Sequence, residues 1–263
     1  MAELYFNDRR VDGRKTTELR MIKCEFLPGM ADGSVLLEQG NTKVTASVFG
    51  PHPCNAKADE IPDEVFITCK YNRPPFINTS GTRQKHSQSD KVSAEYAMTI
   101  EEIFTALVRR SIYPNAQIDI FIEILQSDGS EFSTAINASS LALMAAGVEM
   151  IDFPVASTVG KYCFYGSRLF ADLCRYEENS RVTRVTVVCL PGGTELGSDK
   201  LASGNPDIPQ NISGARLLHT RLSSWLPSEK LIVLIQGGVD AAKVIHAELS
   251  DNLRRYVKHS ERV

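Results

Sequence analysis

The chain has 263 residues, 43% of them hydrophobic and 23% charged, with a formal net charge of −3. That length suits one large domain or two small ones, and that balance excludes both a disordered chain and a polycation that holds nucleic acid by overall charge. No run of about 18 apolar residues is present, so no helical membrane span is expected, and the charged residues from Met1 to Arg14 lack the apolar stretch of a secretory leader. Cys24, Cys54, Cys69, Cys163, Cys174 and Cys189 form no Cys-x-x-Cys pair and no zinc spacing. Several lie in apolar stretches, which predicts reduced thiols in a cytosolic or nuclear compartment.

Arg9-Arg10-Val11-Asp12-Gly13-Arg14 reads as a charged turn in which Asp12 and Arg14 make a structural ion pair or a subunit contact. Met21 to Phe26, Gly33 to Glu38 and Val44 to Gly50 read as strands. With a hairpin turn at Gln39-Gly40-Asn41-Thr42-Lys43, they predict an antiparallel meander. Pro51 to Glu64 is a polar loop and Val65 to Tyr71 a strand. Arg73 to Asp90 is poor in apolar residues. Ser89 or Asp90 caps a helix predicted to reach Arg110, with Ala94, Met98, Ile103, Ala106 and Leu107 on its apolar face. Arg109 and Arg110 would complement the dipole at its end.

Ile118, Ile120, Ile122 and Ile124 alternate with Asp119, Phe121, Glu123 and Leu125, the period of a half-buried strand. Ser127-Asp128-Gly129-Ser130 breaks that strand with turn chemistry. A small-residue helix from Ala135 follows, with Gly147 as its C-terminal cap. A strand that feeds a helix through a Gly/Ser turn is able to cradle a phosphate on the helix N-terminus. It is equally an ordinary buried strand and close-packed helix, since the turn matches neither a P-loop nor G-x-G-x-x-G.

Ser157 to Phe164, Ser167 to Leu173 and Val182 to Leu190 read as further strands, and Glu177-Glu178 as a solvated acidic turn. Pro191 to Ser213 is rich in Gly, Pro and Asn and reads as a loop. Ala215 to Leu226 reads as a short amphipathic helix, Lys230 to Gln236 as a strand, and Val239 to Val257 as a final helix with Ala242, Ile245, Leu249, Leu253 and Val257 in register. His219 and His246 therefore fall on helices, as surface or packing residues. The order predicts an α+β or mixed α/β arrangement, with helices packed on mixed sheets.

Some of these stretches together carry a family resemblance. Arg10-Val11-Asp12-Gly13-Arg14, Ala31-Asp32-Gly33-Ser34, Glu38-Gln39-Gly40-Asn41-Thr42-Lys43 and Gly50-Pro51 resemble the N-terminal signatures of RNase PH-type phosphorolytic exoribonucleases. Tyr113-Pro114, Gln117 to Ile120, Leu125 to Gly129, Asn137-Ala138-Ser139 and Ala146 to Phe153 extend it. The resemblance runs from Arg10 to about Val188 and looks strongest to the RNA exosome ring subunits equivalent to the catalytic archaeal one. It implies an α+β RNase PH fold (ribosomal protein S5 domain 2-like) as a single domain over residues 1–263, with a loop insertion near 191–229.

The same resemblance implies the site. Active members bind phosphate through an arginine just after the Asp-Gly turn. Here Gly129-Ser130-Glu131-Phe132-Ser133 puts Phe132 in that place and adds Glu131, a carboxylate that repels phosphate. The helix N-terminus and the Ser130 and Ser133 hydroxyls remain as weak anion donors. A pair of aspartates six residues apart falls at Glu178 and Arg184, and an arginine is neither a metal ligand nor an acid. The expectation is a non-catalytic subunit with no cofactor and no metal centre; the rival is an active phosphate-dependent 3′→5′ exoribonuclease completed by its ring partner. The family's RNA-gripping loop aligns with Gly81 to His86 and Asp90-Lys91, which makes Arg83, Lys85, His86 and Lys91 the candidate RNA contacts. The implied partners are other RNase PH-like exosome subunits in a six-membered ring, RNA-binding cap subunits, a hydrolytic exoribonuclease and single-stranded RNA. The implied setting is rRNA processing and RNA decay in nucleus, nucleolus and cytoplasm.

Overall fold

The computed structural model describes residues 5–6, 9–54, 64–77, 91–161, 168–180, 182–192, 211–212 and 214–260. The chain opens with a short antiparallel ribbon of β1 (Tyr5–Phe6) and β2 (Arg9–Arg10). β3 (Ile22–Phe26), β4 (Gly33–Gln39) and β5 (Thr42–Pro53) form the expected meander. β6 (Phe66–Asn72), α1 (Lys91–Leu107) and β7 (Ala116–Gln126) follow. β7 pairs antiparallel with β5 and parallel with β6, so the first sheet runs β3-β4-β5-β7-β6. Its two faces follow from the period of two. Ile118, Ile120, Ile122 and Ile124 are buried with Val35, Leu37, Val44, Ala46 and Val48, whereas Asp119, Phe121 and Glu123 lie on the more open face.

α2 (Glu131–Ala145) is buried continuously from Phe132 to Leu143. A helix hidden all round has to satisfy its polar side chains internally. Ser139 and Ser140 donate to the carbonyls of Ala135 and Ile136 (2.9 and 3.0 Å), and Asn137 grips the Ala156 backbone with both ends of its amide (3.0 and 2.8 Å). Gly147 closes the helix at φ +74, with Val148 N–H donating to Leu143 O at 3.1 Å, as a glycine C-cap requires.

β8 (Val155–Lys161), β9 (Leu169–Ala171), α3 (Arg175–Asn179), β10 (Thr183–Leu190), β11 (Asn211–Ile212) and β12 (Ala215–Leu222) supply a second, wholly antiparallel sheet in the order β11-β12-β10-β8-β9. α4 (Ser228–Ser260) packs on β8, β9 and β10. β8, buried along its whole length, lies between α2 and α4. The α+β class is as expected: α2 is the shared core of both sheets. None of the described helices is long and apolar enough to cross a membrane.

Four expectations fail in the C-terminal third and in α1. Lys230 to Gln236 is not a strand but the start of the 33-residue α4, which buries Leu234 and then Val239, Ala242, Ile245 and Leu249. Gly237-Gly238 marks a close helix–sheet approach, since a Cβ on Gly238 would meet Val187 Cγ2 at 2.6 Å. Ala215 to Leu226 is not a helix; its first eight residues are β12, held to β10 by tertiary pairing, and His219 therefore sits on a strand. Within the expected 191–229 insertion, residues 211–212 and 215–222 are strands, while 193–210 and 213 lie outside the described residues. α1 ends at Leu107 and buries Ile100, Ile103, Phe104 and Leu107, leaving Ala94, Met98 and Ala106 exposed. Arg109 and Arg110 bond Glu149 (2.9 Å) and Glu64 (2.5 Å) rather than serving the helix end.

Candidate functional site: a cleft between the two sheets

The turn from β7 into α2 is folded by two left-handed residues, Gly129 (φ +88) and Ser130 (φ +54). A side chain at 129 has no room: its Cβ would meet Leu173 O, Cys174 C and Arg175 N, each at 2.6 Å. The turn is pinned to α3 because Arg175 N–H donates to Asp128 O (2.9 Å) and Ser130 Oγ donates to Leu173 O (3.0 Å). Beside it opens a cleft of about 490 Å³, walled by the first turns of α1 and α2, by α3 and by the ends of β10 and β12. Arg73, Arg175, Arg184 and Arg221 line it, with Glu131, Glu178, Tyr96 and Phe132.

The expected anion donors are otherwise engaged. Ser133 Oγ donates to Ser130 O at 2.9 Å, and Ser130 N–H, at the start of α2, donates to Glu178 Oε1 at 2.9 Å. A carboxylate of the chain itself therefore sits where a helix N-terminus would receive an anion. The other oxygen of Glu178 lies 3.1 Å from Arg184 Nη1. Burial pushes the Glu178 carboxyl up, against the pull of Arg184 and the Ser130 N–H, and nearby Glu131 adds to the rise. Glu131 in turn accepts from Arg73 Nη2 at 3.0 Å and from the Ser127 hydroxyl.

Phe132 is 5% exposed and packs 4.7 Å from the Tyr96 ring, with His219 edge-on at 6.4 Å. The Arg221 guanidinium lies 4.7 Å over the other participant, Tyr96. Burial, then the charge of Arg221, holds the His219 imidazole below its ordinary value, and burial raises the Tyr96 phenol. The three positions aligned by resemblance, Phe132, Glu178 and Arg184, thus line one cleft. Arg83, Lys85 and His86 lie outside the described residues. Lys91 is the exposed first residue of α1, directly before the cleft-lining Val92 and Ser93.

Two buried arginines organise this site and were not legible as such. Arg10, expected in a charged turn, donates from Nε to Glu177 Oε1 (2.7 Å), pairs through Nη2 with Glu177 Oε2, and donates to the carbonyls of Ala171 and Asp172 (2.5 and 2.9 Å). Glu177 also caps α3, accepting Cys174 N–H at 3.0 Å, so Glu177-Glu178 is not a solvated turn. Arg20 grips Asp172 through Nε and Nη2 (3.0 and 2.7 Å) and donates to Asp128 O at 3.0 Å. Burial alone pushes the Asp172 carboxyl up, but the Arg20 guanidinium outweighs it and holds the group below the ordinary value. The spacing of Cys174 and Glu177 as a capping box was the one available signal. Asp12 and Arg14 make the expected ion pair, at 2.6 Å.

Among known proteins, residues 18–149 match the RNase_PH domain, described as the 3′ exoribonuclease family, domain 1. The exosome complex component RRP41 of Homo sapiens is 30% identical over 253 residues, 95% of this chain and 93% of that protein. Rice (Oryza sativa) Rrp46 has the same fold at a TM-score of 0.70 and 24% identity, over 93% of this chain and 98% of that one. A structure of the Archaeoglobus fulgidus exosome with RNA bound to the active site does so at 0.69 and 18%, over 92% and 93%. Fold and cleft define an RNase PH-type domain. The chain belongs to the RNase PH family of 3′ exoribonucleases.

Proposed function

We propose that this chain is a non-catalytic, RNA-binding ring subunit of an RNA exosome, a complex that degrades and processes RNA from the 3′ end. Assignment to the exosome is supported by the likeness to RRP41 over nearly the whole of both chains. In this reading it sits with other RNase PH-like subunits in a six-membered ring and passes single-stranded RNA from cap subunits toward a hydrolytic nuclease, in nucleus, nucleolus and cytoplasm.

The observation that carries the non-catalytic reading is the occupied anion seat. Phosphorolysis needs donors and positive charge aimed at the attacking phosphate. Phe132 offers an apolar ring, the N–H of Ser130 at the cap of α2 is given to Glu178, and Arg184 is paired with that same carboxylate. An arginine holds its protons too tightly to lend one to a leaving group at neutral pH. The RNA-binding reading rests on Arg83, Lys85, His86 and Lys91, whose side chains supply salt-dependent phosphate contacts. It is tested by crosslinking RNA in the assembled ring: Lys85→Glu with Lys91→Glu reduces the crosslink to this chain, and an undiminished crosslink contradicts it.

A further inference from the structure

The cleft is more basic than a scaffold needs. Four arginines face two glutamates in its lining. Arg73 and Arg184 are each matched inside it, by Glu131 and Glu178. Arg175 donates to the Ile77 carbonyl at 3.3 Å, and no carboxylate pairs with it among the described residues. Arg221 reaches Glu95 at 3.1 Å, but that glutamate side chain is 59% exposed, so water and salt exchange easily with the pair. The Arg221 guanidinium is seated over the Tyr96 ring at 4.7 Å, and its forked donors suit an oxyanion.

Trp225 follows the cleft-lining Ser223 by two residues. It is the chain's only tryptophan and is 86% exposed. The residues before it are clamped to β10. Ser223 N–H donates to Arg184 O (3.0 Å), Ser223 Oγ accepts from Arg184 N–H (3.1 Å), and Ser224 Oγ donates to Thr183 Oγ1 (3.0 Å). Ser223 itself lines the cleft. Two residues of chain reach at most about 7 Å, so the indole backbone is held at the cleft rim. An exposed aromatic residue at the rim of an arginine-lined cleft is an arrangement on which single-stranded nucleic acid stacks a base while its phosphates meet cations.

We propose that Arg221, Arg175 and Trp225 bind one nucleotide unit of single-stranded RNA, the arginines on its phosphate and Trp225 on its base. This rests on the RNA-binding role above and places a second contact beyond the loop that holds Arg83 to His86. No bond is made or broken there; the nucleotide is held.

The single tryptophan makes the test direct. The full-length chain is titrated with a 12-nucleotide oligouridylate, read by tryptophan emission and in parallel by filter binding, with inorganic polyphosphate as a ligand that carries phosphates and no bases. RNA is expected to quench Trp225, whereas polyphosphate competes with the RNA and leaves emission unquenched. Arg221→Gln, with an unchanged circular dichroism spectrum, is expected to weaken RNA binding about tenfold, the scale of one charge-assisted contact. Trp225→Leu is expected to weaken RNA about as much and to leave polyphosphate binding unaltered. RNA that binds on the filter without changing Trp225 emission, or an Arg221→Gln chain that binds RNA as before, overturns this inference alone. No RNA bound at all overturns the RNA-binding role with it. Trp225 shielded from acrylamide by a neighbouring ring subunit and silent to RNA assigns the ring to a protein contact and overturns the proposal.

Discussion

Glu178 of α3 and Arg184 of β10 lie six residues apart and pair at 3.1 Å across the cleft, one on each position where the family resemblance places an acid. Each change makes sense of the other. Arg184 opposes the charge of a carboxylate that burial disfavours, and Glu178 spends its second oxygen on the N–H of Ser130, the cap residue of α2. The pair closes the anion seat from within.

The pair sets a pH response. Burial raises the Glu178 carboxyl, so on acidification it takes a proton before an ordinary glutamate does. Protonation removes a negative charge from the cleft and releases Arg184. RNA affinity at fixed salt should therefore begin to rise, as pH is lowered, above the ordinary glutamate range, with a smaller rise in Glu178→Gln. At pH 7 that variant should bind RNA about threefold tighter, the scale of one partly exposed charge. Equal pH slopes for the two proteins, by fluorescence anisotropy, contradict this.

Arg10 and Glu177 are both shielded from water, at 0% and 4% side-chain exposure. Removing one partner of such a pair strands the other. Arg10→Met should cost about 3–5 kcal/mol in urea unfolding, and Arg10→Met with Glu177→Leu should cost less than the single change. A loss under about 1 kcal/mol for the single variant would show that the N-terminal segment is not fastened to α3 in this way.

Asp172 governs the acid limb of stability. Its folded-state value lies below the ordinary one, so its pairing with Arg20 contributes fully above the unfolded carboxylate value of about 3.9 and is lost as pH falls through the folded value. Melting temperature should drop as pH is lowered through that window, and Asp172→Asn should flatten that drop while lowering stability at pH 7. A parallel acid limb in both proteins contradicts this.

In an open helix Gly→Ala is stabilising by up to about 1 kcal/mol. Gly238→Ala should do the reverse, costing about 1–3 kcal/mol, because the new Cβ meets the stiff Val187 side chain at 2.6 Å and has the Ser157 hydroxyl beside it. A gain in melting temperature contradicts the close seating of α4 on β8 and β10.

The first sheet, the β7–α2 turn and the small-residue helix were legible because one period and one turn decide them locally. Ile118 to Ile124 alternate, and Gly129 punctuates. β12 and the start of α4 were not, because their state is set by partners far along the chain. The strand from Ala215 exists through its pairing with β10, and Gly237-Gly238 resembles a break until the sheet beneath it is known. In the cleft, Phe132, Glu178 and Arg184 were found through family resemblance. Arg10, Arg20 and Arg221 were missed, since nothing near them in sequence marks an arginine that is buried on a carboxylate or stacked on a ring more than a hundred residues away.

In the proposed role the chain binds RNA without phosphorolysis. The most direct measurement is to purify it with its neighbouring ring subunit, add single-stranded RNA, Mg²⁺ and inorganic phosphate, and separate the nucleotides released. No nucleoside diphosphate above the RNA-only control is the predicted result. Phosphate-dependent release of nucleoside diphosphates that ceases when this chain's Arg175 and Arg221 are changed to Gln would contradict it.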